Sequence, residues 1–223
     1  LNKMGCHEAD VFLSKSKTSS CSSRLGKIEK KEESSTNEIG IRAIINKKQS
    51  IVSTTNLEKQ NVYNLTEKVV EMAKVVPENQ YCGLAESDKI KQVSKQEVQK
   101  LEICDTYEPT MSLIEKEVIK LEESALDNKE ITNSEGAEIA YSKNSICLLG
   151  SNGLEIEMEK THSDFIIAVL AGSKDSMERE YDYKSKVFYN ELGDFEKIGK
   201  EVSQNAIKKL NSKKLKTCKS DVI

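Results

Sequence analysis

Residues 9–54 read as strands. Val11 and Leu13, then Cys21, Ser23 and Leu25, then Ile39–Ile45 and Ser50–Thr54 alternate with the two-residue period of a sheet that has one buried face. The spacing then changes. Val62, Leu65, Val69 and Met72 recur every three or four positions until Pro77, which predicts an amphipathic helix capped by Thr55 or Asn56. Residues 82–109, with Gly83, Pro109 and mixed charge, read as a connector with one short polar helix. Ser112-x-x-Glu115 has the form of a capping box, and Ile114, Val118, Leu121 and Ala125 make one face of the helix that follows.

Asn133-Ser134-Glu135-Gly136 predicts a turn into a second strand-rich region. Its strands are Ala137–Ser142, Ile146–Leu149, Leu154–Met158, Phe165–Ala171 and Met177–Tyr183, with a hairpin turn at Gly150-Ser151-Asn152-Gly153. A final helix opens near Asp194 and turns Phe195, Ile198, Val202, Ala206 and Leu210 inward. Gly199 in its middle costs about 1 kcal/mol against Ala, so close backbone packing is expected there.

The two strand-rich regions resemble each other. Ala9–Lys15 matches Ala137–Lys143, Gly26–Lys30 matches Gly153–Glu157, and Ile39–Ile45 corresponds to Phe165–Ala171. The expected class is therefore α+β: two similar strand-rich units from an internal duplication, each followed by an amphipathic helix.

Composition narrows the function. The chain has 223 residues and a net charge of −3, so it lacks the cationic balance of a nucleic-acid binder. Its longest apolar run is Phe165–Ala171, far short of the roughly 20 residues that span a bilayer. No charged-then-apolar leader is visible. The expectation is a soluble, cytoplasmic chain with no nucleic-acid or membrane partner.

Little chemistry is legible. Cys6, Cys21, Cys82, Cys104, Cys147 and Cys218 contain no C-x-x-C pair, and read as buried or incidental free thiols rather than a metal site. Cys6, His7, Glu8 and Asp10 cluster, but neighbours on a strand point to opposite faces, and Val11 stands where H-E-x-x-H needs its second His. They read as a solvated loop. His162, before an apolar strand, reads as a satisfied structural histidine. Gly172-Ser173-Lys174 lacks the rest of a phosphate loop. Glu32-Glu33 and Glu122-Glu123 are adjacent pairs that read as solvated faces. The lysines at 208, 209, 213, 214, 216 and 219 have no interleaved aromatics for base stacking. No catalytic, cofactor-binding or metal residue is assigned.

Several strings together resemble a known family. They are Gly40-Ile41-Arg42, Ser53–Leu57, Tyr81–Ala85, Asn133–Ala137, Thr161-His162-Ser163 and Met177–Tyr183. In this order they are similar to the PmbA/TldE branch of the TldD/PmbA metallopeptidases, also called modulators of DNA gyrase. The resemblance implies a family N-terminal α+β domain over residues 1–80, a connector and helix over 81–130, and a middle α+β domain over 131–215. Residues 216–223 would begin a C-terminal β-rich domain missing here. It also implies a two-subunit zinc peptidase acting on unfolded or extended peptides. In that pair a TldD-type partner carries the zinc and this subunit lacks the motif. The alternatives are a non-proteolytic regulator of gyrase or of a toxin–antitoxin system, and an inactive truncated gene product.

Overall fold

Leu25 and Gly26 have φ of 51° and 73°, the backbone of a two-residue turn whose twist suits a hairpin. That turn joins two long antiparallel strands, β1 (Glu8–Arg24) and β2 (Lys27–Ile45). A second such turn at Asn46-Lys47, with φ of 48° and 64°, leads into β3 (Lys48–Thr54). The chain continues through α1 (Lys59–Val75), the short α2 (Lys95–Gln99) and α3 (Met111–Leu126). Then come β4 (Ile131–Gly150), β5 (Glu155–Ala171), β6 (Glu178–Lys186) and α4 (Phe195–Lys209). The computed structural model describes residues 2–173, 176–213 and 216–219.

The six strands form one antiparallel sheet in the order β3-β2-β1-β4-β5-β6. Each half is a three-stranded meander followed by a helix, and the halves meet where β1 pairs with β4. Ala9 and Ala137, the matched starts of the repeat, are 128 residues apart. The pairing of Ser16 with Asn144 therefore lies on the local twofold axis relating the halves.

Register fixes which face is covered. Ala9 pairs with Ala43, Cys21 with Ile139, and Ile139 with Phe165, so between the register shifts at Ser22/Ser23 and Ser134/Gly136 the odd-numbered positions of β1, β2, β4 and β5 share one face. Val69, Val70 and Ala73 of α1 pack there on Ala9, Ile41 and Ala43. Ile114, Val118, Leu121 and Ala125 of α3, with Phe195, Ile198, Val202 and Ala206 of α4, pack on Ile139, Phe165 and Ile167. Among the described residues the opposite face carries no helix.

The structure corrects several local expectations. Asn133–Gly136 is not a turn but part of β4, where register shifts at Ile131/Asn133 and Ser134/Gly136 absorb the irregular sequence. Ala137–Ser142 and Ile146–Leu149 belong to this one strand, and Leu154–Met158 largely merges with Phe165–Ala171 in β5. Thr55 and Asn56 do not cap α1. Its cap position is Glu58, without a side-chain bond, while Asn56 Oδ1 accepts from Glu58 N. On α1, Met72 is exposed, and Val70 and Ala73 are buried in its place. Thr110, not Ser112, caps α3 by accepting from Leu113 N. The capping box lies instead in the connector, between Ser94 and Glu97.

Candidate functional site

Without a helix above it, the second sheet face displays the even-numbered positions of β1. These are Phe12, 43% exposed, followed by Ser14, Ser16, Thr18, Ser20 and Ser22. Phe12 lies beside Leu148, which pairs with Ile156. At the far end Tyr183 pairs with Ile166, and the Tyr181 and Tyr183 rings stack 6.4 Å apart. Two bidentate ion pairs flank these patches. Arg42 Nε donates to both Asp10 oxygens at 3.1 Å, and Arg179 Nε donates to both Glu135 oxygens at 2.9 Å. The Arg179 guanidinium also lies 5.2 Å from the Tyr181 ring centroid. Each pair holds its arginine more firmly charged, chiefly through the side-chain hydrogen bond. The face has apolar ends and a hydroxyl-rich centre. Such a surface binds another polypeptide more readily than it performs bond chemistry.

The titratable groups confirm that emphasis. His162 is on this face, half-exposed, with Nε2 3.0 Å from Ser185 Oγ and 3.5 Å from Asp164 Oδ1. Serine and aspartate thus meet the same ring nitrogen, whereas a nucleophilic relay needs the acid on the other one. Burial raises the Asp164 carboxyl above its ordinary range. The Cys6–Asp10 cluster disperses. Cys6 is fully buried rather than in a solvated loop, and its Sγ donates to Glu8 O at 3.2 Å. Glu8 accepts from Leu84 N, Asp10 pairs with Arg42, and His7 is exposed. Of Gly172-Ser173-Lys174 and the lysine-rich end, Lys174 and Lys214 lie outside the described residues, as do residues 220–223. Lys209 pairs with Glu180.

The donors among the described residues do not fit a zinc ion. Among the described residues no three His, Cys, Asp or Glu side chains come together, and structural or catalytic zinc needs at least three protein ligands. Cys6, Cys21 and Cys82 are buried free thiols. Cys104 and Cys147 line a cavity of about 780 Å³ between the connector and the helix-covered side of β1, β4 and β5. Burial pushes the Cys104 thiol up, away from thiolate reactivity.

Two buried acidic groups were not legible as such. Glu122 is fully buried rather than solvated. Its carboxylate accepts from Leu25 N at 2.9 Å, Gly26 N at 3.1 Å and Ser134 Oγ at 2.5 Å. Its spacing gave a signal, because Glu122 is four residues after Val118 on the buried stripe of α3. Asp105 ties the connector to the second unit by accepting from Tyr107 N and Tyr189 N, both at 2.8 Å. The Tyr189 hydroxyl donates to Glu117, and burial with that carboxylate raises its pKa.

Tyr141 makes a test of the polar core. Its hydroxyl is buried without a partner, as is Ser163 Oγ on the residue it pairs with, and burial pushes the phenol up to about 12. An unsatisfied buried hydroxyl costs about 1–3 kcal/mol. Tyr141→Phe is therefore expected to stabilise the chain by about 1 kcal/mol, raising Tm by roughly 2–4 °C in a thermal scan. A lower Tm would show that the hydroxyl is bonded.

This architecture, a duplicated three-strand-plus-helix unit with helices on one face of the sheet, defines a two-layer α+β module. Family models identify it. Residues 9–73 match PmbA/TldA metallopeptidase domain 1, and residues 88–210 match the PmbA/TldA metallopeptidase central domain. The chain belongs to the PmbA/TldD metallopeptidase family.

The metalloprotease PmbA homolog of Haemophilus influenzae is 24% identical over 217 residues, covering 96% of this chain and 47% of that protein. Metalloprotease PmbA of Escherichia coli is 24% identical over 216 residues, with the same coverage. A Bacteroides thetaiotaomicron structure described as a candidate modulator of DNA gyrase superposes with a TM-score of 0.82 at 19% identity, covering 96% of this chain and 48% of that one. TldE from Thermococcus kodakarensis gives 0.75 at 18% identity, covering 92% and 45%. The chain spans about half the length of these relatives.

Proposed function

We infer that this chain is the N-terminal and middle part of a PmbA/TldE-type subunit that works beside a TldD-type, zinc-bearing subunit on extended or unfolded peptides. The observation that carries this reading is the likeness to the PmbA/TldE branch: both family domains are matched, and the relatives include metalloprotease PmbA, its homolog and TldE. What this part of the subunit offers is binding surface: the bare sheet face and the strand edges, where backbone pairing accepts varied side chains. Its role is to hold and align polypeptide while the partner supplies the hydrolytic centre. The reading places the complex in the cytoplasm. No helix among the described residues is long and apolar enough to cross a membrane.

Co-purification of a full-length subunit containing this chain with a TldD-type chain tests the inference, followed by peptide-cleavage assays on each subunit and on the mixture. The expected result is a stable complex and cleavage that requires the TldD-type chain. Cleavage by this subunit alone overturns the assignment. Failure to form a complex favours a regulatory role without proteolysis.

A further inference from the structure

We propose that Tyr183, with Asp164 and Glu138 beside it on the bare sheet face, binds an arginine side chain of a partner polypeptide. The structure holds a template for this arrangement two residues back on the same strand. Arg179 lies over the Tyr181 ring, 5.2 Å from its centroid, and its Nε donates to both Glu135 oxygens at 2.9 Å. Tyr181 in turn stacks on Tyr183, with the two rings 12° from parallel. Arginine, aromatic ring and carboxylate thus form a complete set at Tyr181. At Tyr183 the chain supplies the ring and the carboxylates but no arginine.

Register brings the second set together. Glu138, Ile166 and Tyr183 lie side by side on β4, β5 and β6, and Asp164 pairs with Ser185 in the next row. Residues paired in this way share a face, and diagonal neighbours such as Tyr183 and Asp164 lie about 7–8 Å apart, within reach of a ring and a long side chain. Tyr183 is 66% exposed and Ile166 is also exposed, so ring and aliphatic floor are open to the methylene stem of an arginine. Among the described residues neither carboxylate pairs with a lysine or an arginine. Lys30, two strands from Glu138, is taken by Glu32, and Arg179 by Glu135. Asp164 has only His162, at 3.5 Å. The two sites differ in charge balance accordingly. Arg179 draws the Glu135 carboxyl below its ordinary range, whereas burial raises that of Asp164 against a smaller lowering by His162. Asp164 is thus desolvated without the compensation that a guanidinium gives Glu135. An ammonium would answer the charge alone. A guanidinium also lies flat on the Tyr183 ring and presents a fork of donors to the carboxylates, which selects arginine over lysine as the occupant.

The probe is acetyl-Gly-Arg-Gly-amide, titrated into the 223-residue chain and followed through backbone amide and tyrosine ring signals by NMR, with the citrulline and lysine tripeptides alongside. The arginine peptide should bind saturably with a dissociation constant on the order of 1 mM, and the shifts should centre on Asp164, Ile166 and Tyr183. Citrulline keeps the shape and loses the charge, so its peptide should bind weaker by roughly tenfold or more, and the lysine peptide by roughly threefold. Tyr183→Ala and Asp164→Asn should each weaken the arginine peptide by roughly fivefold. Tyr183→Phe, which keeps the ring, should stay within roughly twofold of the unaltered chain. Shifts centred elsewhere, equal binding of the citrulline or lysine peptide, or an unchanged affinity in folded Tyr183→Ala overturns the proposal. The peptide comparison needs no variant, so it decides the matter even where a variant fails to fold. The inference rests on reading the bare face as a surface for polypeptide, but no TldD-type chain or cleavage assay enters the test. Its failure would leave the subunit assignment to be decided by co-purification.

Discussion

Glu122→Ala is expected to destabilise the chain by about 3 kcal/mol, lowering Tm by roughly 6–12 °C. The carboxylate is fully buried and is the acceptor for two turn amides and one hydroxyl. Removing it leaves the buried Ser134 hydroxyl and two part-buried turn amides without that acceptor, which costs more than the net worth of the bonds themselves. It also frees the turn that sets the register of the long β1–β2 hairpin. Glu122→Gln keeps an acceptor oxygen but turns an amide donor toward other donors, so roughly half the loss is expected. Urea unfolding monitored by circular dichroism measures both. A loss below about 0.5 kcal/mol for the Ala variant, the range of an ordinary surface substitution, would mean that water reaches the turn.

The sequence made the fold legible where helices back the sheet. Ile114, Val118, Leu121 and Ala125, and the inward face of α4, are buried as their spacing requires. The Gly150–Gly153 hairpin also stands where it was read, with Gly153 at φ 93°. Where one face is bare, alternation loses its apolar half. Lys27–Glu38 is a continuous strand with little apolar signal, and the Lys143-Asn144-Ser145 stretch made one strand look like two. Asn133–Gly136 misled because Gly136, at φ 110° and where a Cβ would lie 2.8 Å from Ser23 O, serves a strand irregularity rather than a turn.

The surfaces were less legible than the core. That Lys27–Glu38 lies on an open edge, for example, depends on knowing that β3 pairs with β2 only from Ile39 to Ile45. The placement of His162 beside Ser185 likewise follows from pairing across β5 and β6, 23 residues apart in sequence. Pattern reasoning sees one strand at a time, and these features arise between strands.

Gly199→Ala is expected to destabilise the chain by about 3 kcal/mol, although Ala is the better helix former by about 1 kcal/mol. The sequence expectation of close packing at Gly199 is met in full. A Cβ there would lie 2.3 Å from Leu121 O and 3.0 Å from Ala125 N, both backbone atoms of α3, and 2.2 Å from Ser124 Oγ. The serine can rotate away. Its hydroxyl, which donates to Leu121 O at 3.0 Å, then has to find another acceptor. The α3 backbone cannot rotate, so α4 must move outward. That shift loosens Phe195, Ile198 and Val202 from the core they share with Leu121 and Phe165, and the edge-on contact of Phe165 with Phe195 at 5.7 Å opens with it. Overpacking of this kind outweighs the gain in helix propensity. A paired substitution separates the two terms. Ser124→Ala removes only the flexible neighbour, so the Gly199→Ala/Ser124→Ala chain should recover less than half of the loss in urea unfolding. Full recovery would assign the strain to the serine and leave α3 and α4 free to adjust.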